Sequence, residues 1–169
     1  MCRVGVKPEP KFIKWNVDAP YYTDEGVGAT VAVLRDGKGT FLVSQCKFIP
    51  IAADVVTIEA PAMRDGLVFA NNMGFHRVEA ESDMRDVIKF CNGQTRWWDA
   101  VAAIFVECID AGATIGKVKF KHCNRSANQA KHVLAKFSYC NKFSSSWLDD
   151  PPGCLVNKLI DDVSLFDDQ

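Results

Sequence analysis

The sequence predicts an α/β protein: a mixed five-stranded sheet, three antiparallel strands plus two parallel additions, flanked by helices. Two observations carry this. Up to residue 48, three apolar or alternating stretches are separated by turn signals, the mark of consecutive hairpin-joined strands. From residue 54 onward, helical spacing alternates with two further short strands, and parallel strands need such crossover connections.

Residues 1–11 read as a loose arm containing Pro8 and Pro10. Strand one covers about 12–18, where Ile13, Trp15 and Val17 point one way and Lys14, Asn16 and Asp18 the other. Gly26 to Gly28 lead into the β-branched run Ala29 to Leu34, the second strand. Asp36-Gly37-Lys38-Gly39 is a turn, and Phe41 to Phe48 is the third strand. Between Asp54 and Met73, Ala62, Met63, Gly66, Leu67 and Ala70 fall at helical spacing. Pro61 complicates the helix boundary, because proline is tolerated in the first turn and kinks a helix interior; Thr57 as N-cap puts it at about the fourth helical position. Val78 to Asp83 is a short strand, followed by a short helix over Met84–Phe90 and a longer one over Trp97–Ala111. Gly116 to His122 alternates Val118 and Phe120 with lysines, a half-exposed fifth strand. Ser126 to Gln129 matches a capping box at the start of a last helix carrying Ala130, Leu134 and Phe137. Ser144 to Ser146 reads as a linker to an acidic tail with a short amphipathic helix. The division is therefore an arm (1–11), a domain (12–143) and a tail (144–169).

Composition sets the outer bounds. At 169 residues and 48% hydrophobic, the chain suits one domain with a real core. No apolar run approaches the roughly 20 residues of a membrane span, and the first residues lack the apolar core of a secretory signal. The seven cysteines are scattered without a CxxC pair, so neither a disulfide framework nor a zinc site is indicated. A reducing, intracellular location follows, nuclear or cytoplasmic. The net charge of −1 conceals an asymmetry: residues 147–169 carry −5 and the rest +4. Lys117 to Lys142 contains seven basic residues and no acid, so it is either a solvated face or a phosphate-contacting surface.

Three acids sit where acids are costly. Asp18 closes an apolar strand, Glu59 lies on the core-facing stripe of the first helix, and Asp83 closes the fourth strand. A buried charge needs a partner, and three together suggest a shared one.

With these acids placed after strand one, on the first helix and after strand four, the chain resembles the ribonuclease H fold. Its wording is similar to the plant ribonuclease H-like, reverse-transcriptase-like domain related to non-LTR retrotransposons. The residues that carry the resemblance are Lys14-Trp15-Asn16-Val17-Asp18, Gly28 with Val33-Leu34-Arg35-Asp36, Glu59-Ala60-x-Ala62-Met63-Arg64-Asp65-Gly66-Leu67, Glu81-Ser82-Asp83, and Asn128-x-x-x-His132-x-Leu134-Ala135-Lys136. They are joined by Trp147-Leu148-Asp149-Asp150-Pro151-Pro152 in the tail, and the whole spans about residues 12–165. The resemblance implies a metal-dependent endonuclease acting on the RNA strand of RNA–DNA hybrids. Asp18, Glu59 and Asp83 would hold two Mg²⁺ or Mn²⁺ ions about 3.5–4 Å apart. It implies a nucleic-acid partner, an RNA–DNA hybrid or structured RNA, for a monomeric chain with no membrane contact. Lys119, Lys121, Arg125, Asn128 and Lys131 are the candidate nucleic-acid contacts.

The chain departs from the pattern in places. His132 stands where the wider family has a fourth acid, and imidazole suits softer ions than Mg²⁺. On helical spacing His132 lies off the Ala130–Leu134–Phe137 stripe, so it is either a ligand or catalytic group or a solvent-facing residue. Lys131 replaces a small residue, and no histidine-bearing loop precedes the last helix. Two functions stay open: an active hybrid nuclease, or a catalytically weak nucleic-acid-binding or protein-interaction module on the same fold.

Overall fold

A computed structural model describes residues 8–95, 100–124 and 129–167. The chain runs β1 (Ile13–Asp18), β2 (Tyr21–Tyr22), β3 (Val27–Arg35), β4 (Phe41–Ile49), α1 (Val56–Asn72), β5 (Arg77–Ser82), α2 (Arg85–Cys91), α3 (Ala100–Ile115), β6 (Lys117–His122), α4 (Gln129–Asn141), β7 (Ser145–Leu148) and α5 (Gly153–Asp167). The sheet order is β6-β5-β1-β3-β4-β7, with β2 paired to β3. β1, β3 and β4 are antiparallel, while β5 and β6 add in parallel on the other side of β1.

The five expected strands are present in the expected order, but among the described residues the sheet has seven. β2 is a two-residue ladder formed where Tyr21 and Tyr22 pair with Gly28 and Val27. β7 corrects the linker reading of Ser144 to Ser146. Three serines show no apolar alternation, yet the open edge of β4 offers unpaired backbone groups, and Ser145 to Leu148 pair with Cys46 to Val43. Ser144 accepts a hydrogen bond from the Phe48 amide at 2.9 Å. Trp147 packs with Phe137 and Phe143, which fixes the strand against α4.

Helices cover both sheet faces. Trp15, Val17, Ala32, Leu34 and Val43 pack with Ile58, Met63 and Leu67 of α1 and Phe105 and Cys108 of α3. On the opposite face, Val31, Val33 and Cys46 pack with Ala130, Leu134 and Ala135 of α4 and Leu155 and Leu159 of α5. The tail helix is thus part of the second core.

The start of α1 differs from expectation. Thr57 is not the cap but lies in the first turn. The Asp54 carboxylate accepts from the Thr57 amide at 2.8 Å, and the Thr57 hydroxyl accepts from the Asp54 amide at 3.2 Å. Pro61 therefore sits inside the helix, in its sixth position. Its missing N–H leaves the Thr57 carbonyl without its usual helical donor, yet α1 continues and Glu59 stays buried.

Close contact of α1 with β1 depends on Gly66. A Cβ there would lie 1.7 Å from Cζ2 of the fully buried Trp15. Alanine favours a helix over glycine by about 1 kcal/mol, but the overlap is with a rigid ring that has nowhere to move. Gly66→Ala is expected to lower stability by about 1–3 kcal/mol, the usual cost of overpacking. Chemical denaturation checks this through a lower midpoint at unchanged slope.

Candidate metal centre

β1 and β5 pair in parallel with Asn16 opposite Glu81. Continuing that register by two residues sets Asp18 level with Asp83 at the carboxyl ends of the two strands. Glu59, in the first turn of α1, reaches the same point. One carboxylate oxygen from each of Asp18, Glu59 and Asp83 lies within 4.8 Å of the others. Beside Glu59 and Asp83 opens a cleft of about 420 Å³, also lined by Arg85, His122 and Cys123.

The three carboxyl groups are not equivalent. Burial pushes Glu59 up to about 8 from 4.5, and the charges of Asp18 and Asp83 push it the same way. Its Oε2 is buried without a hydrogen-bond partner. Burial acts to raise Asp18 too, but the hydrogen bond from His132, the Lys131 charge and the Ala19 amide outweigh it and hold Asp18 below its usual range. The Ala19 amide donates to Asp18 Oδ1 at 3.1 Å. His122 Nε2 lies 3.2 Å from the Asp83 carbonyl; since a carbonyl only accepts, that nitrogen carries the proton.

α4 supplies two neighbouring side chains. His132 Nδ1 is 2.9 Å from Asp18 Oδ2, and Lys131 Nζ is 3.4 Å from Asp83 Oδ1. Consecutive helical residues diverge by about 100°, so the two straddle the pair of strand ends. His132 is 38% exposed but directed at Asp18, so its position off the apolar stripe does not make it a bystander. Lys131 corrects the phosphate-contact reading: its side chain is fully buried and ion-paired, so it does not lie on a surface a phosphate can meet. A sequence signal for this exists. Lys131, Leu134, Ala135 and Ser138 fall at helical spacing and are all buried, a stripe that shares Leu134 with the Ala130–Leu134–Phe137 stripe and widens it.

The remaining candidate contacts fall elsewhere. Arg125 and Asn128 lie outside the described residues, as does most of the capping box. Lys121 pairs with the buried Glu79 at 2.8 Å. Lys119 pairs with Glu9 and lies over the Phe12 ring, 4.7 Å from its centroid. Beside them, Lys14 bridges to Glu81 at 3.1 Å, and Asn16 donates to the other Glu81 oxygen at 2.9 Å. Sequence reading missed these pairs, because nothing local in a lysine-rich strand marks which acid lies across the ladder. Lys121→Ala is expected to lower stability by about 1–2 kcal/mol. It strands the buried Glu79 carboxylate, though solvent around the half-exposed lysine tempers the loss. A double-mutant cycle with Glu79→Gln checks this: the second change should recover most of the loss.

The arrangement of acids, strands and helices defines a ribonuclease H-type fold. Residues 16–138 match the Reverse transcriptase-like family, and the chain belongs to it. No curated protein matches the sequence. Among solved structures, ribonuclease H1 from the halophilic archaeon Halobacterium salinarum is 21% identical, with TM-score 0.71 over 76% of this chain and 98% of its own. The N-terminal ribonuclease H domain of a Mycobacterium tuberculosis protein is 16% identical, with TM-score 0.69 over 76% and 94%. A compost-derived ribonuclease H1, LC11, solved in complex with an RNA/DNA hybrid, is 16% identical, with TM-score 0.67 over 77% and 98%. Among the described residues no helix is long and apolar enough to cross a membrane.

Proposed function

We propose that this chain is a divalent-metal-dependent endonuclease that hydrolyses the RNA strand of RNA–DNA hybrids. The observation that carries the reading is the convergence of Asp18, Glu59 and Asp83 at the ends of two parallel strands. The donor set fits a hard divalent cation: three carboxylates, one presenting a buried oxygen without a partner. When bound, such an ion activates water and stabilises charge on the phosphate under attack. Asp18, Glu59 and Asp83 would hold it. His132 stands in for a fourth carboxylate and fixes the orientation of Asp18. His122 steadies the backbone at Asp83. Arg85, on the cleft wall, offers a guanidinium to a phosphate of the bound strand, with Lys119, Lys121, Arg125 and Asn128 as further contacts along it.

The LC11 structure with an RNA/DNA hybrid supports the substrate class by likeness of fold. A second reading, a catalytically weak nucleic-acid-binding module, is favoured by one feature, the Lys131 ammonium inside the acid cluster.

The test offers the native chain one labelled RNA strand, first annealed to DNA and then single-stranded, in Mg²⁺, Mn²⁺ or chelator. Cleavage of the hybrid that requires the ion is the expected result. Hybrid binding without cleavage in either ion sends the reading to the binding module.

A further inference from the structure

We propose that the Lys131 ammonium is a built-in cation of the carboxylate cluster, and that the site therefore takes one divalent ion rather than two. The inference rests on the metal reading above and refines it.

An ammonium is costly to bury unless carboxylates surround it, and Lys131 is fully buried with Nζ 3.4 Å from Asp83 Oδ1. A two-ion site sets its cations about 3.5–4 Å apart and shares carboxylates between them. The ammonium already stands against one of the three carboxylates that a second ion would have to share. Its positive charge, ion-paired with Asp83, opposes a second divalent ion there.

The charges agree with this. Three ionised carboxylates carry −3, and one divalent ion plus one ammonium supplies +3. A second divalent ion would leave a buried excess of +2. Position reinforces charge, since Lys131 shares its helical stripe with buried Leu134, Ala135 and Ser138, which hold this face of α4 inside the protein. Asp18 and Glu59, with the remaining oxygen of Asp83, are then the ligands of the single ion.

The test is a Mn²⁺ titration by equilibrium dialysis, paired with electron paramagnetic resonance of the bound ion. It uses the native chain, Lys131→Met, which keeps the length of the stem without the charge, and Lys131→Ala, each checked for folding by circular dichroism. The native chain is expected to bind one Mn²⁺ with an uncoupled, mononuclear signal. Either folded variant is expected to bind two, with the spin-coupled signal of a close pair. The native measurement stands by itself if neither variant folds. Two coupled ions on the native chain overturn the inference and leave the metal site intact, as does a single ion on native and variant alike. No ion on the native chain removes the metal reading and the inference with it.

Discussion

Glu59→Gln is expected to stabilise the metal-free protein at alkaline pH and to abolish its response to divalent ions. Burial, then the charges of Asp18 and Asp83, raise the Glu59 carboxyl from 4.5 to about 8. A group whose folded pKa is raised binds its proton more tightly folded than unfolded. Its contribution is fully present below the unfolded pKa and is lost as pH rises through the folded one. The metal-free native chain should therefore lose about 3–5 kcal/mol between pH 4.5 and pH 8, at about 1.36 kcal/mol for each tenfold difference in proton affinity between the folded and unfolded chain, and then level off. Asp18, held below its usual range, acts in the opposite sense but only at acid pH, so the two windows do not overlap. Glutamine has no proton to lose, so its Tm should stay flat across this range. Added Mn²⁺ should restore the native chain at pH 8, because it replaces the displaced proton, and should leave the variant unmoved. Thermal melts at several pH values, with and without Mn²⁺, check both. A flat native profile would mean that Glu59 is solvated.

His132→Ala is expected to weaken divalent-ion binding about 10- to 100-fold, the usual cost of removing a residue that orients a metal ligand. The ring nitrogen is 2.9 Å from Asp18 Oδ2, and without it that carboxylate keeps the Ala19 amide on its other oxygen and the Lys131 charge nearby, but loses the side-chain hydrogen bond that orients it. The fold should be little affected, since the imidazole is 38% exposed. His132→Asp gives the site a further hard oxygen and should shift its preference from Mn²⁺ toward Mg²⁺. Titrations of both ions into native, alanine and aspartate proteins decide it. Equal affinities in all three would reduce His132 to a surface residue.

The site's acids were legible in the sequence because each broke a local rule. Asp18 and Asp83 close apolar strands, and Glu59 interrupts a core-facing stripe. Burial makes such placements expensive, so they stand out against the pattern. What α4 adds was not legible in the same way. A stripe drawn through Ala130 assigns Lys131 to the surface, whereas one drawn through Lys131 itself buries it. Both Ala130 and Lys131 are buried, and how wide a face of α4 is covered depends on how the helix sits against the assembled sheet. β7 escaped for a related reason, since its serines become a strand only because β4 presents an open edge. The pairs of Lys121 with Glu79 and Lys14 with Glu81 depend on the parallel register of β1, β5 and β6, which no local pattern fixes.

Single-turnover cleavage of an RNA–DNA hybrid by the native chain and by Asp18→Asn tests the central claim most directly. Asparagine keeps the shape of Asp18 and removes the charge on which the metal site depends. Charge stabilisation by a bound ion is worth several kcal/mol, and each 1.36 kcal/mol is about tenfold in rate. In Mn²⁺, the native chain is predicted to cut the RNA strand about a thousandfold faster than Asp18→Asn, and chelator is predicted to stop it. Equal rates for the two proteins, or native cleavage that persists in chelator, would contradict a metal-dependent nuclease built on these three acids.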